Sequence, residues 1–470
     1  MKDTKQIRLV CLLMLCVMLT GIHQPATADV KAERLLKRME NLTQVPNTHL
    51  LLAQDPKTFQ WGVYDTDANV VVPLEYKTIS YLNYGYLSVS GGLRPEEPAE
   101  EAAIDDLNCN ALMTLDGTLL TPYAYGTFKV YSPLWAAGWI LEKGSAADND
   151  YTPDKTNYYR ITRCDLFFRD ADGSLRQVAS LSRDEFKNAK PHGEYLSVQN
   201  RQDGITVYDQ NAQIVDIGAK SLSASVYAIK NWAVFNLATG EIVLDGCSKV
   251  TEVQTEDELL LIVTRIDLQG REMNSLITTK GEVIFPMWYA TVSSVSMDYA
   301  IITSASNGKK GLYSCREKRM ILPCMYDDIL ENKKAIDRFN SHGYILVMKD
   351  EAYYCYEVAT RKLIPVPDFD MEGNIDHYGL TFFMTKTVEK TTTTKYASPN
   401  GKVRSFYGTI GKSRGSGYLM IAKFTYGTSV INWYGNNYLP QFYSNIIITD
   451  DDNIIVKTKY SGYDLYRIPE

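Results

Sequence analysis

Residues 59–90 read FQWGVYDTDANVVVPLEYKTISYLNYGYLSVS. Three short apolar runs stand here between polar turns. Trp61-Gly62-Val63-Tyr64 is the first, Val70 to Tyr76 the second, and Tyr86 to Ser90 the third, introduced by Gly85. Runs this short, rich in β-branched and aromatic residues, predict strands and not helices. The second run carries a Pro-x-x-Tyr element, Pro73 to Tyr76. Proline cannot donate a ladder hydrogen bond, so that strand ends there or lies on a sheet edge. The tyrosine can then fold back over the hairpin.

The same pattern returns along the chain. Pro-x-x-Tyr recurs at Pro122/Tyr125, Pro286/Tyr289, Pro323/Tyr326 and Pro440/Tyr443. The Gly-Tyr opening of the third run recurs at Gly343-Tyr344 and Gly417-Tyr418, and more loosely at Gly193-Glu194-Tyr195. Hairpin turns of Asp-Gly type fall in phase at Asp116-Gly117, Asp172-Gly173, Thr239-Gly240, Lys280-Gly281 and Asn400-Gly401. Aligning the turns gives about ten units over 59–470, mostly roughly 35–45 residues apart. A unit of three or four strands cannot bury its apolar face alone, so neighbours must share one continuous core. The predicted fold is therefore all-β: a repeat array, β-propeller-like with three- or four-stranded blades, or alternatively an open β-solenoid or superhelix. A ring brings the two ends of the array together, whereas a superhelix separates them.

Trp61-Gly62-Val63-Tyr64-Asp65 followed by Val71-Val72-Pro73-Leu74-Glu75-Tyr76 resembles the WG-repeat, or KWG-repeat, family of bacterial proteins. Lys310-Gly311-Leu312-Tyr313 through Ile321-Leu322-Pro323-Cys324-Met325-Tyr326 is similar, with Lys-Gly for Trp-Gly. The resemblance implies a β-propeller or related β-repeat fold, an interaction module often found on exported proteins, and no shared catalytic residue.

The N-terminus reads as an export signal over 1–28: basic Lys2, Lys5 and Arg8, apolar Leu9 to Ile22, then the small-x-small Ala26-Thr27-Ala28. The apolar run is short for a bilayer span, and no later stretch suggests a stable membrane span. A secreted, periplasmic or cell-envelope location follows. Residues 29–58 read as a lead with one short helix from Val30 to Leu42. Acidic 91–106 and polar 144–157 read as surface insertions. A net charge of −7 argues against a nucleic-acid partner. The 33 tyrosines fit half-buried strands, where the ring packs and the hydroxyl stays wet.

Chemistry-bearing motifs are scarce. Of five histidines (His23, His49, His192, His342, His377) none lies at metal-ligand spacing from another His or Cys. Beyond the signal six cysteines remain, Cys109, Cys164, Cys247, Cys315, Cys324 and Cys355, whose scatter fits buried small residues. Asp170-Ala171-Asp172-Gly173 and Asp450-Asp451-Asp452-Asn453 fit hairpin turns better than calcium loops. Gly411 to Gly417 reads as a loop, without the loop-to-helix context of a phosphate cradle. No catalytic, cofactor-binding or metal-binding residue is assigned, no cofactor is expected, and the chain is read as not an enzyme. The expected function is a non-catalytic binding or scaffold module for an unknown protein or glycan partner, met by exposed tyrosines and by Trp61, Trp135, Trp139, Trp288 or Trp433. The alternative is a propeller-type polysaccharide hydrolase or lyase.

Overall fold

Alternating apolar runs and Asp- or Gly-bearing turns make up-and-down antiparallel sheets. The computed structural model describes residues 39–466 apart from internal segments, the longest being 92–106, 146–157, 216–224, 330–343 and 412–418. The signal segment, nearly all of both insertions, Asp450 to Asp452 and most of the Gly411 to Gly417 loop lie outside the described residues. Among the described residues every regular element is a strand. They form ten sheets, numbered here in chain order: sheet 1 (41–76), sheet 2 (78–114), sheet 3 (127–182), sheet 4 (188–215), sheet 5 (227–245), sheet 6 (249–288), sheet 7 (290–326), sheet 8 (328–365), sheet 9 (374–432) and sheet 10 (446–466). Sheet 9 has six strands; the others have three or four, each next to its sequence neighbour. The fold is an all-β array of small blade-like sheets.

The repeat seen in sequence is offset from the sheet by two strands. Trp61–Asp65 and Val70–Tyr76 are the third and fourth strands of sheet 1. Thr78–Tyr81 and Tyr86–Ser90, the remainder of the quoted stretch, open sheet 2. Lys310–Ser314 and Arg319–Tyr326 likewise close sheet 7, and Tyr344–Lys349 belongs to sheet 8. The reason is the proline. Pro73, Pro286 and Pro323 sit on the outermost strand of their sheets, where a missing N–H costs no ladder bond. The chain then starts a new sheet.

The array also begins before Phe59. Asn41–Gln44 and Leu50–Gln54 are the first two strands of sheet 1, so most of the expected lead is part of the array. The helix expected from Val30 to Leu42 lies outside the described residues up to 38, and Asn41 and Leu42 are strand. Leu50 to Ala53 are four consecutive buried residues, which marks a strand covered on both faces.

The chain divides into two compact units, 75–368 and the pair 1–74 with 369–470. In the first, consecutive sheets share apolar cores. Tyr86 and Leu112 pack with Phe128 and Ala136 between sheets 2 and 3. Trp135 and Leu166 pack with Leu196 and Val198 between sheets 3 and 4. Val207, Val234 and Leu261 join sheets 4, 5 and 6. Leu260 and Phe285 meet Ile302 and Tyr313 between sheets 6 and 7, and Ile301 and Leu312 meet Ile345 and Val347 between sheets 7 and 8. In the other unit Val430 packs with Ile448 and Ile454 between sheets 9 and 10. Sheet 10 in turn meets sheet 1: Tyr463, Ile455 and Leu465 pack with Leu42, Leu51 and Tyr64. The Leu42 N–H donates to the Tyr463 hydroxyl at 3.1 Å, and Lys457 Nζ donates to the Glu40 carbonyl at 3.1 Å. Within this unit, sheets 1 and 10 thus touch directly.

Candidate functional site

A pocket of about 190 Å³ opens where sheets 3 and 4 meet. Lys129, from strand Thr127–Val130, and Trp139, from Trp135–Lys143, are held in one antiparallel ladder with Ile161 on Tyr159–Arg169. Phe186 and Lys187 come from the link into sheet 4, Asn188 from its first strand, and Arg201 from just after its second. Tyr131 completes the wall, with Lys129 Nζ 4.8 Å from its ring centroid. Trp139 and Phe186 pack edge to face at 5.8 Å and are both buried. The Trp139 indole N–H is sealed from solvent and has no acceptor among the described residues. Burial pushes the Tyr131 hydroxyl well above the usual phenol range, so it stays a neutral donor.

Three cations therefore surround one small aromatic-floored pocket. Lys187 bridges to Asp203 at 2.7 Å and holds that carboxyl below its usual range. Arg201 is fixed at its root: its N–H donates to the Asp184 carbonyl, and its Nε to the Arg183 carbonyl at 3.1 Å. Lys129 has no carboxylate partner among the described residues. The pocket can accept an anionic group against an apolar floor.

A second constellation lies deep inside sheets 4 and 6. His192 Nδ1 is 2.5 Å from Glu252 Oε2, and its Nε2 is 2.8 Å from Ser197 Oγ. The other Glu252 oxygen accepts from the Ser225 hydroxyl and from the Val226 and Tyr227 N–H groups. Burial works against the Glu252 charge, but bonds from His192 and Ser225, with Lys190 at 3.8 Å, outweigh it and hold the carboxyl below its ordinary value. The serine–histidine–glutamate line has the contacts of a nucleophile relay. Ser197, however, is 2% exposed and also donates to the Lys190 carbonyl. A nucleophile has to be reachable by substrate, so this network is a polar pin between sheets.

Other residues singled out in sequence fall as follows. Trp135 and Trp139 are core, Trp61 is half-buried, Trp288 is 38% exposed, and Trp433 lies outside the described residues. His49 is exposed, His23 and His342 lie outside the described residues, and His377 is on a strand of sheet 9. Four of the six cysteines, Cys164, Cys247, Cys315 and Cys355, are buried, and burial pushes Cys315 and Cys355 up to about 12. Asp170 and Asp172 serve the turn: Asp172 accepts from the Ser174 N–H, and Asp170 pairs with Arg176. Among the described residues no group of three or more His, Cys, Asp or Glu gathers as a metal site. No helix there is long and apolar enough to cross a membrane.

The repeat motif has its own geometry. A Cβ on Gly62 would lie 2.6 Å from the Val72 carbonyl oxygen and 2.9 Å from Pro73. Gly311 meets the same strand in its copy, with the Leu322 oxygen at 2.7 Å and the Cys324 nitrogen at 2.9 Å. The proline strand bulges over the glycine, and the ladder shifts register between Lys310 and Leu312. Residues 61–90 match the model of the WG containing repeat. This stretch is a WG repeat. With the WG geometry in hand, eroded copies become visible. Ser275 stands at the glycine position in sheet 6 and donates its hydroxyl to the Phe285 carbonyl at 2.6 Å. Asn110 and Asn274 stand at the WG tryptophan position and donate to the Gly126 and Ala290 carbonyls, at 2.7 and 2.6 Å, fastening the link to the next sheet. Trp232-Ala233-Val234-Phe235-Asn236 is a WG variant that the sequence reading missed, because alanine replaces glycine. Its tryptophan is 64% exposed, at a hairpin tip with Asn231 and Trp232 both at positive φ.

No curated protein matches the chain. Among solved structures, the chain is similar to the extracellular domain of BT4673 from B. thetaiotaomicron, described as a one component system, at 9% identity and a TM-score of 0.19, over 92% of this chain and 76% of that one. It is also similar to Kluyveromyces lactis Hsv2 at 10% identity and a TM-score of 0.24, over 47% of this chain and 76% of that one. At these scores neither likeness carries an argument.

Proposed function

We propose that the chain is an exported, non-catalytic binding module that uses its sheet-to-sheet surface to hold a glycan or protein partner. The pocket between sheets 3 and 4 carries the reading. Its lining residues come from four strands and their links, so the backbone that carries them is set before any partner arrives. Buried aromatic side chains flanked by cations suit recognition. Export rests on the basic, apolar and small-residue succession of 1–28. The test is capture of cell-envelope glycans and surface proteins on immobilised protein, with reducing-sugar release measured alongside. Saturable capture without release supports the reading. Absence of any partner, or turnover of a captured polysaccharide, overturns it.

A further inference from the structure

We infer that the pocket between sheets 3 and 4 is a subsite for one acidic sugar ring, a hexuronate unit of a glycan. The inference deepens the binding-module reading and rests on it.

Charge is the first argument. The chain carries a net charge of −7, yet Lys129, Lys187 and Arg201 converge on one pocket. A local cationic site in an acidic protein admits a single anionic group while the wider surface repels a dense polyanion. Arg and Lys donors suit a carboxylate, and the fork of a guanidinium adds directionality. Asp203, the carboxylate paired with Lys187, is 67% exposed, and Lys187 is itself half-exposed. An exposed ion pair of this kind is weak, so an incoming carboxylate can replace Asp203 at small cost.

Shape and floor supply the second argument. About 190 Å³ is below the roughly 300–1,000 Å³ of pockets for drug-sized ligands and suits a single ring. The Trp139–Phe186 pair and the Tyr131 ring present an apolar wall to the C–H face of a sugar, while Asn188 offers an amide to its hydroxyls. A bare inorganic anion would leave the aromatic wall unused.

The test uses the full chain with galacturonate and a short oligogalacturonate, and with glucose, acetate and inorganic phosphate as controls. Saturation-transfer NMR and titration calorimetry read the binding. Expected is saturable binding of the uronates, about tenfold tighter than glucose or acetate, weakened about tenfold in Lys129→Met and declining with added salt. Lys129 is exposed, so an unchanged melting temperature confirms that the variant folds. Equal binding of glucose reduces the site to an aromatic surface and overturns the inference, as does equal binding of acetate or phosphate. No saturable binding also overturns it. Wild type and Lys129→Met are then compared for capture of envelope material. Retained capture with no uronate binding sinks this inference alone, whereas loss of all capture in wild type sinks the module reading itself.

Discussion

Gly62 and Gly311 show why the repeat keeps a glycine in the middle of a strand, where glycine is otherwise unfavourable. The proline strand passes too close for a side chain. Gly62→Ala should destabilise by about 2–3 kcal/mol, as an overpacked backbone contact does. The control is Gly240→Ala, at a turn with φ of +74° and nothing within 4 Å of the new methyl; strain alone should cost about 1–2 kcal/mol there. Urea unfolding separates the two, and equal losses would contradict the close-approach account. The tyrosine excess also has a local cause. Tyr313 donates to the Ile284 carbonyl of the preceding sheet at 2.9 Å, and Tyr356 does the same to Ile321 at 3.4 Å, both two residues before the Pro-x-x-Tyr proline. The ring packs between sheets and the hydroxyl ties them. Tyr313→Phe should cost about 1 kcal/mol in urea unfolding, and no loss would mean the hydroxyl is idle. Four of the five motif tyrosines (Tyr76, Tyr125, Tyr326, Tyr443) are buried, as their place beside an edge proline suggests. Tyr289 is the half-buried one. It donates to Asp267 at 2.8 Å. Burial opposes the Asp267 charge, yet the Arg271 N–H and the Tyr289 hydroxyl bring its carboxyl to about 2.

At the scale of strands and turns, much was legible because the signals are local. Asp65, Asp209 and Asp267 each accept from the N–H groups two and four residues on, which is the chemistry a turn aspartate announces. The sheet boundary was not legible, since strands on either side of Tyr76 look alike and only pairing distinguishes them. The His192–Glu252 pair was hidden for the same reason: sixty residues separate its members, and sheet packing alone brings them together. Glu252→Gln should cost about 1–3 kcal/mol, since an amide cannot accept all the bonds that His192, Ser225, Val226 and Tyr227 direct at the buried carboxylate. The pH dependence has a definite sign. Glu252 titrates lower folded than unfolded, so its contribution is complete above the ordinary value of 4.5 and is lost as pH falls through the lower folded value. Wild type should therefore lose stability in acid, and Glu252→Gln should show a shallower acid limb in thermal melts from pH 7 to 3. Parallel limbs would contradict the assignment.

At the scale of the molecule, a small sheet has one apolar face too many, and each neighbour covers it. The clusters alternate accordingly, with Phe285 of sheet 6 lying 4.9 Å from Tyr313 of sheet 7 in an edge-to-face pair. Periodicity and turn phase made this sharing readable before any pairing was known. The pocket was not readable, because Lys129 and Arg201 belong to different sheets and acquire a common purpose only when those sheets stack. The shared core is tested most directly by hydrogen exchange mass spectrometry on Phe285→Ala, a truncation expected to cost about 3–5 kcal/mol. Protection should fall together in peptides of sheets 6 and 7, including Ala300 to Ile302 and Leu312 to Tyr313. Loss confined to sheet 6, with sheet 7 exchanging as in wild type, would show that the sheets stand independently and would contradict the account.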